Sequence, residues 1–236
     1  MADSNIGIGG TDVLVPEEQL GKISVSVQDF DLGEGPVSTT LVAIGAEVSN
    51  VETKIQGGDN LAFAGKALID SNVIIKQPKA VPFDGAQARD EATTSIVRFE
   101  NQLNEEVDVK AKKGNAVDLK IAEGKFRRSS YRGAKGQQDD SVLVGSSAKL
   151  INATFNLRKG DDTFEIVGGA TLKGTNTVDL GKGADKVIVG NEIKGKGKLV
   201  IKNMDKKDRL SYNGEEFTLK QIQNGDADLP GFLELG

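Results

Sequence analysis

The stretches Asp140-Ser-Val-Leu-Val-Gly145, Asp162-Thr-Phe-Glu-Ile-Val-Gly168, Asp185-Lys-Val-Ile-Val-Gly190 and Asp208-Arg-Leu-Ser-Tyr-Asn-Gly214 are four versions of one phrase. The steps from each aspartate to the next are equal to within a single position. Two apolar residues follow at alternate positions, where they share one face of a strand, and a glycine closes each phrase. The segment in front repeats as well, because Phe155, Val178 and Ile201 each stand seven residues ahead of an aspartate. Carried backward, the apolar columns read Val97, Leu119, Val142, Phe164, Val187, Leu210 and Phe99, Ile121, Val144, Ile166, Val189, Tyr212. The first two members of each column lack the aspartate. A beat of roughly 20–30 residues with strands and turn glycines is the signature of a solenoid. Stacked coils about 4.8 Å apart place equivalent residues in columns, so four to six coils would form a rod roughly 20–30 Å long. A β-sandwich can imitate the alternation but has no reason to keep the beat.

The remainder of the chain reads as β too. Short β-branched runs such as Lys22-Ile-Ser-Val-Ser-Val-Gln-Asp29, Thr40-Leu-Val-Ala-Ile44 and Asn72-Val-Ile-Ile-Lys76 are bounded by Gly, Asn, Asp or Pro. Only Pro16–Leu20, Phe83–Ala92 and Leu219–Gln223 offer a turn or two of helix. The expected class is all-β, a parallel β-solenoid with a coil of about 22–23 residues, an N-terminal β region and extended arms. Its parts are an extended arm over 1–20, a β region over 21–95, solenoid repeats over 96–214, and a cap or tail over 215–236.

Composition narrows the chemistry. The 236 residues contain no Cys and no His, which removes disulfides, thiol nucleophiles, the usual zinc ligands and the base of a Ser-His-Asp triad. The formal net charge is −5, with 30 basic and 35 acidic side chains. That is no DNA-coating balance. Residues 1–70 hold eleven acids and three lysines, so the remainder is slightly basic. No run approaches 18 apolar residues, and the first residues lack a secretory pattern. Export, if any, would be by lysis or by a route that ignores the N-terminus.

The corners before the aspartates read Lys159-Gly-Asp-Asp162, Gly181-Lys-Gly-Ala-Asp185 and Asp205-Lys-Lys-Asp208. Here the chain resembles the glycine/aspartate nonapeptide repeats of RTX exoproteins, G-G-x-G-x-D-x-U-x, most closely at Gly181–Val187. The resemblance covers residues 137–214 or so. It implies Ca²⁺ held between coils by turn carbonyls and carboxylates, with Asp140, Asp162, Gly183, Asp185 and Asp208 as the positions concerned. The family's coil has eighteen residues, however, and Lys159, Lys182, Lys206 and Lys207 stand where glycine is favoured. Without the metal, the aspartates are turn-formers that hydrogen-bond backbone amides.

A basic stretch, Lys125, Arg127, Arg128, Arg132 and Lys135, contains no acid. It suits phosphate, a sulfated or cell-surface glycan, or the acidic third of a neighbouring copy; as a nucleic-acid footprint it is poor. The pairs Asp139/Asp140 and Asp161/Asp162 suggest glycosidase carboxylates, but adjacent strand residues point to opposite faces, and no catalytic residue is singled out. The expected function is a non-enzymatic structural protein, a phage virion appendage, fibre-like or capsid-decorating subunit. Its partners would be copies of itself or other structural subunits, with no cofactor. The alternative is a type I-secreted, RTX-like calcium-binding exoprotein or adhesin, extracellular or at the cell surface.

Overall fold

The computed structural model describes residues 4–8, 13–15, 23–27, 39–49, 51–56, 60–76, 94–112 and 116–236, with side-chain detail for 62–63, 66–75, 95–112 and 116–236. The chain is a parallel β-solenoid whose coils contribute alternately to two sheets, one of ten strands and one of twelve. In the wider sheet, Thr94–Glu105, Ala116–Arg127, Ser141–Ile151, Thr163–Ile166, Lys186–Val189 and Arg209–Tyr212 lie side by side, all parallel. Five successive pairings bring Val97, Leu119, Val142, Phe164, Val187 and Leu210 into one column. The column Phe99 to Tyr212 runs beside it. Both match the sequence columns, including the early members without an aspartate.

The other sheet holds Asp108–Ala111, Ser130–Arg132, Thr154–Asn156, Thr175–Asp179, Lys198–Lys202 and Leu233–Leu235. Its inward column is Val73, Val109, Tyr131, Phe155, Val178, Ile201 and Leu235. The sheets continue toward the N-terminus by the same alternation. Thr39–Ser49 and Asn60–Ile69 extend the wider sheet; Ile23–Val27, Val51–Gln56 and Asn72–Lys76 extend the other. The segment read as an arm supplies Ser4–Ile8, parallel to Ile23–Val27, and Val13–Val15, parallel to Thr39–Ser49.

Side chains from both sheets meet in a core one coil thick at each level. Its spine is aromatic: Phe63, Phe99, Phe126, Phe155 and Phe164 follow one another with ring centroids 5.1–5.9 Å apart. Asn176 interrupts the core where its amide can be satisfied. Fully buried, it accepts the Ala153 N–H at 3.0 Å and donates to the Lys173 and Lys198 carbonyls.

Of the three expected helical turns, the last is present as Leu219–Asn224. Thr218 and Gln221 form a reciprocal capping box at its start, and Gly225 closes it in the left-handed conformation. The stretches Pro16–Leu20 and Phe83–Ala92 lie outside the described residues. After the last repeat the chain reverses, and Glu215–Phe217 pairs antiparallel with Arg209–Tyr212. No helix among the described residues is long and apolar enough to cross a membrane.

Candidate functional site: an aspartate ladder and a basic cleft

At each coil the chain turns from the narrower sheet into the wider one through a corner that ends in an aspartate. Asp140, Asp162, Asp185 and Asp208 are each only 1–2% exposed. Their side chains point into the solenoid and bond from one coil to the next. Asp162 Oδ1 accepts the Asp140 N–H at 2.6 Å, Asp185 Oδ1 accepts the Asp162 N–H at 2.8 Å, and Asp208 Oδ1 accepts the Asp185 N–H at 2.9 Å. Asp140 itself accepts the Val117 N–H at 2.9 Å. The backbone carbonyl of each aspartate then takes an N–H from the coil above: Thr163 to Asp140, Lys186 to Asp162, Arg209 to Asp185. A straight ladder would supply a carbonyl for every amide. At the corner the strands part, and the carboxylate fills the missing acceptor.

These are therefore amide-binding carboxylates: each accepts an amide of the neighbouring coil, and Asp208 Oδ2 also accepts the Asp205 N–H of its own turn at 2.6 Å. An opposed and exposed ladder flanks them. Asp139 Oδ1 accepts the Asp161 N–H at 2.7 Å, and Asp161 Oδ1 accepts the Ala184 N–H at 2.8 Å. Asp139 and Asp161 are exposed, while Asp140 and Asp162 are buried, so neither adjacent pair flanks a common substrate position.

Burial dominates the electrostatics. Desolvation pushes the Asp162 carboxyl up to about 8, against the hydrogen bond from Asp140 and with the repulsion of its ladder neighbours. Asp140 and Asp185 rise to about 7, and Asp208 is raised too, burial being the main cause in each case. The Tyr131 hydroxyl beside Asp140 moderates the rise there. The Oδ2 atoms of Asp162 and Asp185 are buried without a hydrogen-bond partner. A carboxyl in that setting is held more cheaply as the acid.

These carboxylates are arranged as acceptors for amides. One oxygen of each carboxylate is committed to an amide, the carboxylates stand in single file, and Lys159 and Lys182 bridge neighbouring corners. Among the described residues no group of three or more acidic side chains converges as a metal would require. Gly183 has a steric task instead: a Cβ there would stand 1.7 Å from the Gly160 carbonyl oxygen. Successive corners touch at this point. Gly183→Ala is expected to lower stability by about 2 kcal/mol through overpacking, read as a shift in urea midpoint at unchanged slope.

The basic stretch divides at a corner. Lys125, Arg127 and Arg128 lie at the end of one long strand, whereas Arg132 lies on the other sheet and Lys135 beside a separate groove with Arg158, Lys159 and Lys182. The register adds two residues to the first group that its sequence order hides. Lys149 is the neighbour of Lys125, and Lys173 follows on the next coil. Together with Leu103 and Ile151 they line a cleft of about 320 Å³. Sequence spacing hides Lys149 because a bulge between Ile121 and Glu123 lengthens that coil beyond the common beat.

What fold and corners define is a parallel β-solenoid closed by an internal carboxylate ladder. The chain matches no protein-family model, no curated protein sequence and no solved structure.

Proposed function

We propose that this protein is a non-enzymatic structural subunit, a stiff β-rod that acts within an assembly such as a phage virion, as an appendage or decorating subunit. The open sheet edges at the ends of the rod carry this reading: among the described residues each terminal strand is paired on one side only. At the C-terminal end the antiparallel strand Glu215–Phe217 and the helix that follows finish the wider sheet, and the short strand Leu233–Leu235 ends the other. At the opposite end the sheets finish in Ser4–Ile8 and Val13–Val15, each paired on one side only among the described residues. An unpaired parallel edge is a template for another chain, and a second copy or a neighbouring subunit is its simplest cover.

The full-length protein is expected to behave as a defined oligomer at micromolar concentration in light scattering and native mass measurement. Proline removes an edge N–H, so the double variant Ile6→Pro/Leu14→Pro should shift the population to monomer. A wild-type chain that stays monomeric at 50–100 µM (roughly the upper range in which weak assembly contacts act) would remove the reading. Folding that requires calcium would instead favour an RTX-like exoprotein.

A further inference from the structure

We infer that the cleft beside Lys125, Lys149 and Lys173 binds a linear sulfated polysaccharide, laid along the solenoid axis. Lys125, Lys149, Thr171 and Lys194 occupy one register column, while Arg127, Ile151 and Lys173 form the column beside it. The residues between, Phe126, Leu150 and Leu172, are buried, so the flanking columns face outward by strand alternation. Four successive levels thus each present at least one cation, over roughly 15 Å at the usual strand spacing. The charge is available. Among the described residues, Lys125, Lys149, Lys173 and Lys194 make no ion pair, whereas Arg127 pairs with Glu105 at 3.5 Å and Arg128 with both Glu105 and Glu106. The arginine end is neutralised, and the lysine file is left to attract.

Three observations select the ligand chemistry. The cations are spaced along a line and not converged on a point, which suits a chain of anionic groups better than one phosphate. Leu103 and Ile151 give the lining aliphatic surface against which a sugar ring can rest. Asn152, at the cleft wall, accepts the Thr175 N–H with its oxygen, which leaves its amide group as a donor beside the cleft. No aromatic side chain lines the cleft, so the stacking that holds single-stranded nucleic acid is missing. With a net charge of −5 the attraction must be local.

The test uses a fluorescent heparin dodecasaccharide titrated into the full-length protein, followed by anisotropy at several salt concentrations. Lys125→Gln/Lys149→Gln/Lys173→Gln is expected to weaken binding at least tenfold and to flatten its salt dependence. Lys159→Gln/Lys182→Gln, on the other groove, should change it less than twofold. Thermal melts verify that both variants are folded; if the triple variant melts early, Lys173→Gln alone should still weaken binding two- to threefold. An uncharged dextran should not bind, and a single-stranded DNA of equal charge should bind more weakly than heparin. No heparin binding, equal losses in the two lysine sets, or DNA binding as tight as heparin would each overturn the proposal. None of these outcomes depends on the oligomeric state.

Discussion

Phe155→Ala is expected to cost about 3–5 kcal/mol, the usual range for emptying a buried phenylalanine site. Phe155 is fully buried. Its ring stacks on Phe126 at 5.9 Å and tilts against Phe164 at 5.1 Å. Phe126 and Phe164 belong to the wider sheet and Phe155 to the other, so this ring ties the sheets together at mid-rod. A globular core can close around a lost ring from many directions. A solenoid core has only the coils above and below and two sheet walls, so collapse into the cavity is poor. Urea denaturation should show the loss, while Thr154→Ala, exposed on the same strand, should stay within about 0.5 kcal/mol of wild type. A loss below about 1 kcal/mol at Phe155 would mean that the spine does not hold the sheets.

Removing one rung of the aspartate ladder has the next largest effect. Asp162→Ala orphans the buried Asp140 N–H and is expected to cost about 2–3 kcal/mol at pH 6. Asp162→Asn should cost far less, because an amide oxygen can accept the same N–H. Asn176 already does this for Ala153 at another corner of the coil. The two variants therefore separate loss of the acceptor from loss of the acid.

The ladder also sets the response to pH. An unfolded aspartate releases its proton near 3.8, but folded Asp162 keeps it to about 8, and Asp140 and Asp185 to about 7. Between these values the folded state binds more protons than the unfolded state, so stability falls as pH rises. The contribution is complete below pH 3.8 and lost as pH passes 7 to 8. Asp108, held below its usual value by Ser130 and Lys110 against its own desolvation, works in the opposite sense but only at acid pH. The melting temperature is therefore expected to be higher at pH 5.5 than at pH 9, by on the order of 5 °C or more. Asp162→Asn should flatten that slope and melt above wild type at pH 9. Parallel pH profiles for the two proteins would contradict protonation of the ladder.

Much of the fold was legible because one position per coil tolerates few residues. Val142, Phe164, Val187 and Leu210 are inward at every level, and the corner aspartates keep the count between them. Val97 and Leu119 were placed by spacing alone, without the aspartate, because apolar stacking fixes the register even where Ser95 and Val117 precede them on the strand. The corner chemistry was less legible. A sequence shows an aspartate beside a turn but not whether its carboxylate meets its own amide or one a full coil away. Nor does alternation reveal a bulge, and the Ile121–Glu123 irregularity moved Lys149 off the beat. Arg132 and Lys135 looked continuous with Lys125 because order along the chain conceals the corner at Arg128, whose φ of 47° turns the backbone away.

The central claim is that residues one coil apart stand in register, and the chain's lack of cysteine makes a direct test clean. Thr154 and Thr177 are register partners on adjacent parallel strands. Their Cα atoms should therefore lie about 4.8 Å apart, within the range that a disulfide spans. Thr163 is nearer to Thr154 in sequence but sits on the other sheet. Mild oxidation of Thr154→Cys/Thr177→Cys should give an intramolecular crosslink in nearly every folded molecule, whereas Thr154→Cys/Thr163→Cys should remain reduced. A crosslink favoured in the second pair, or none in the first, would contradict the solenoid.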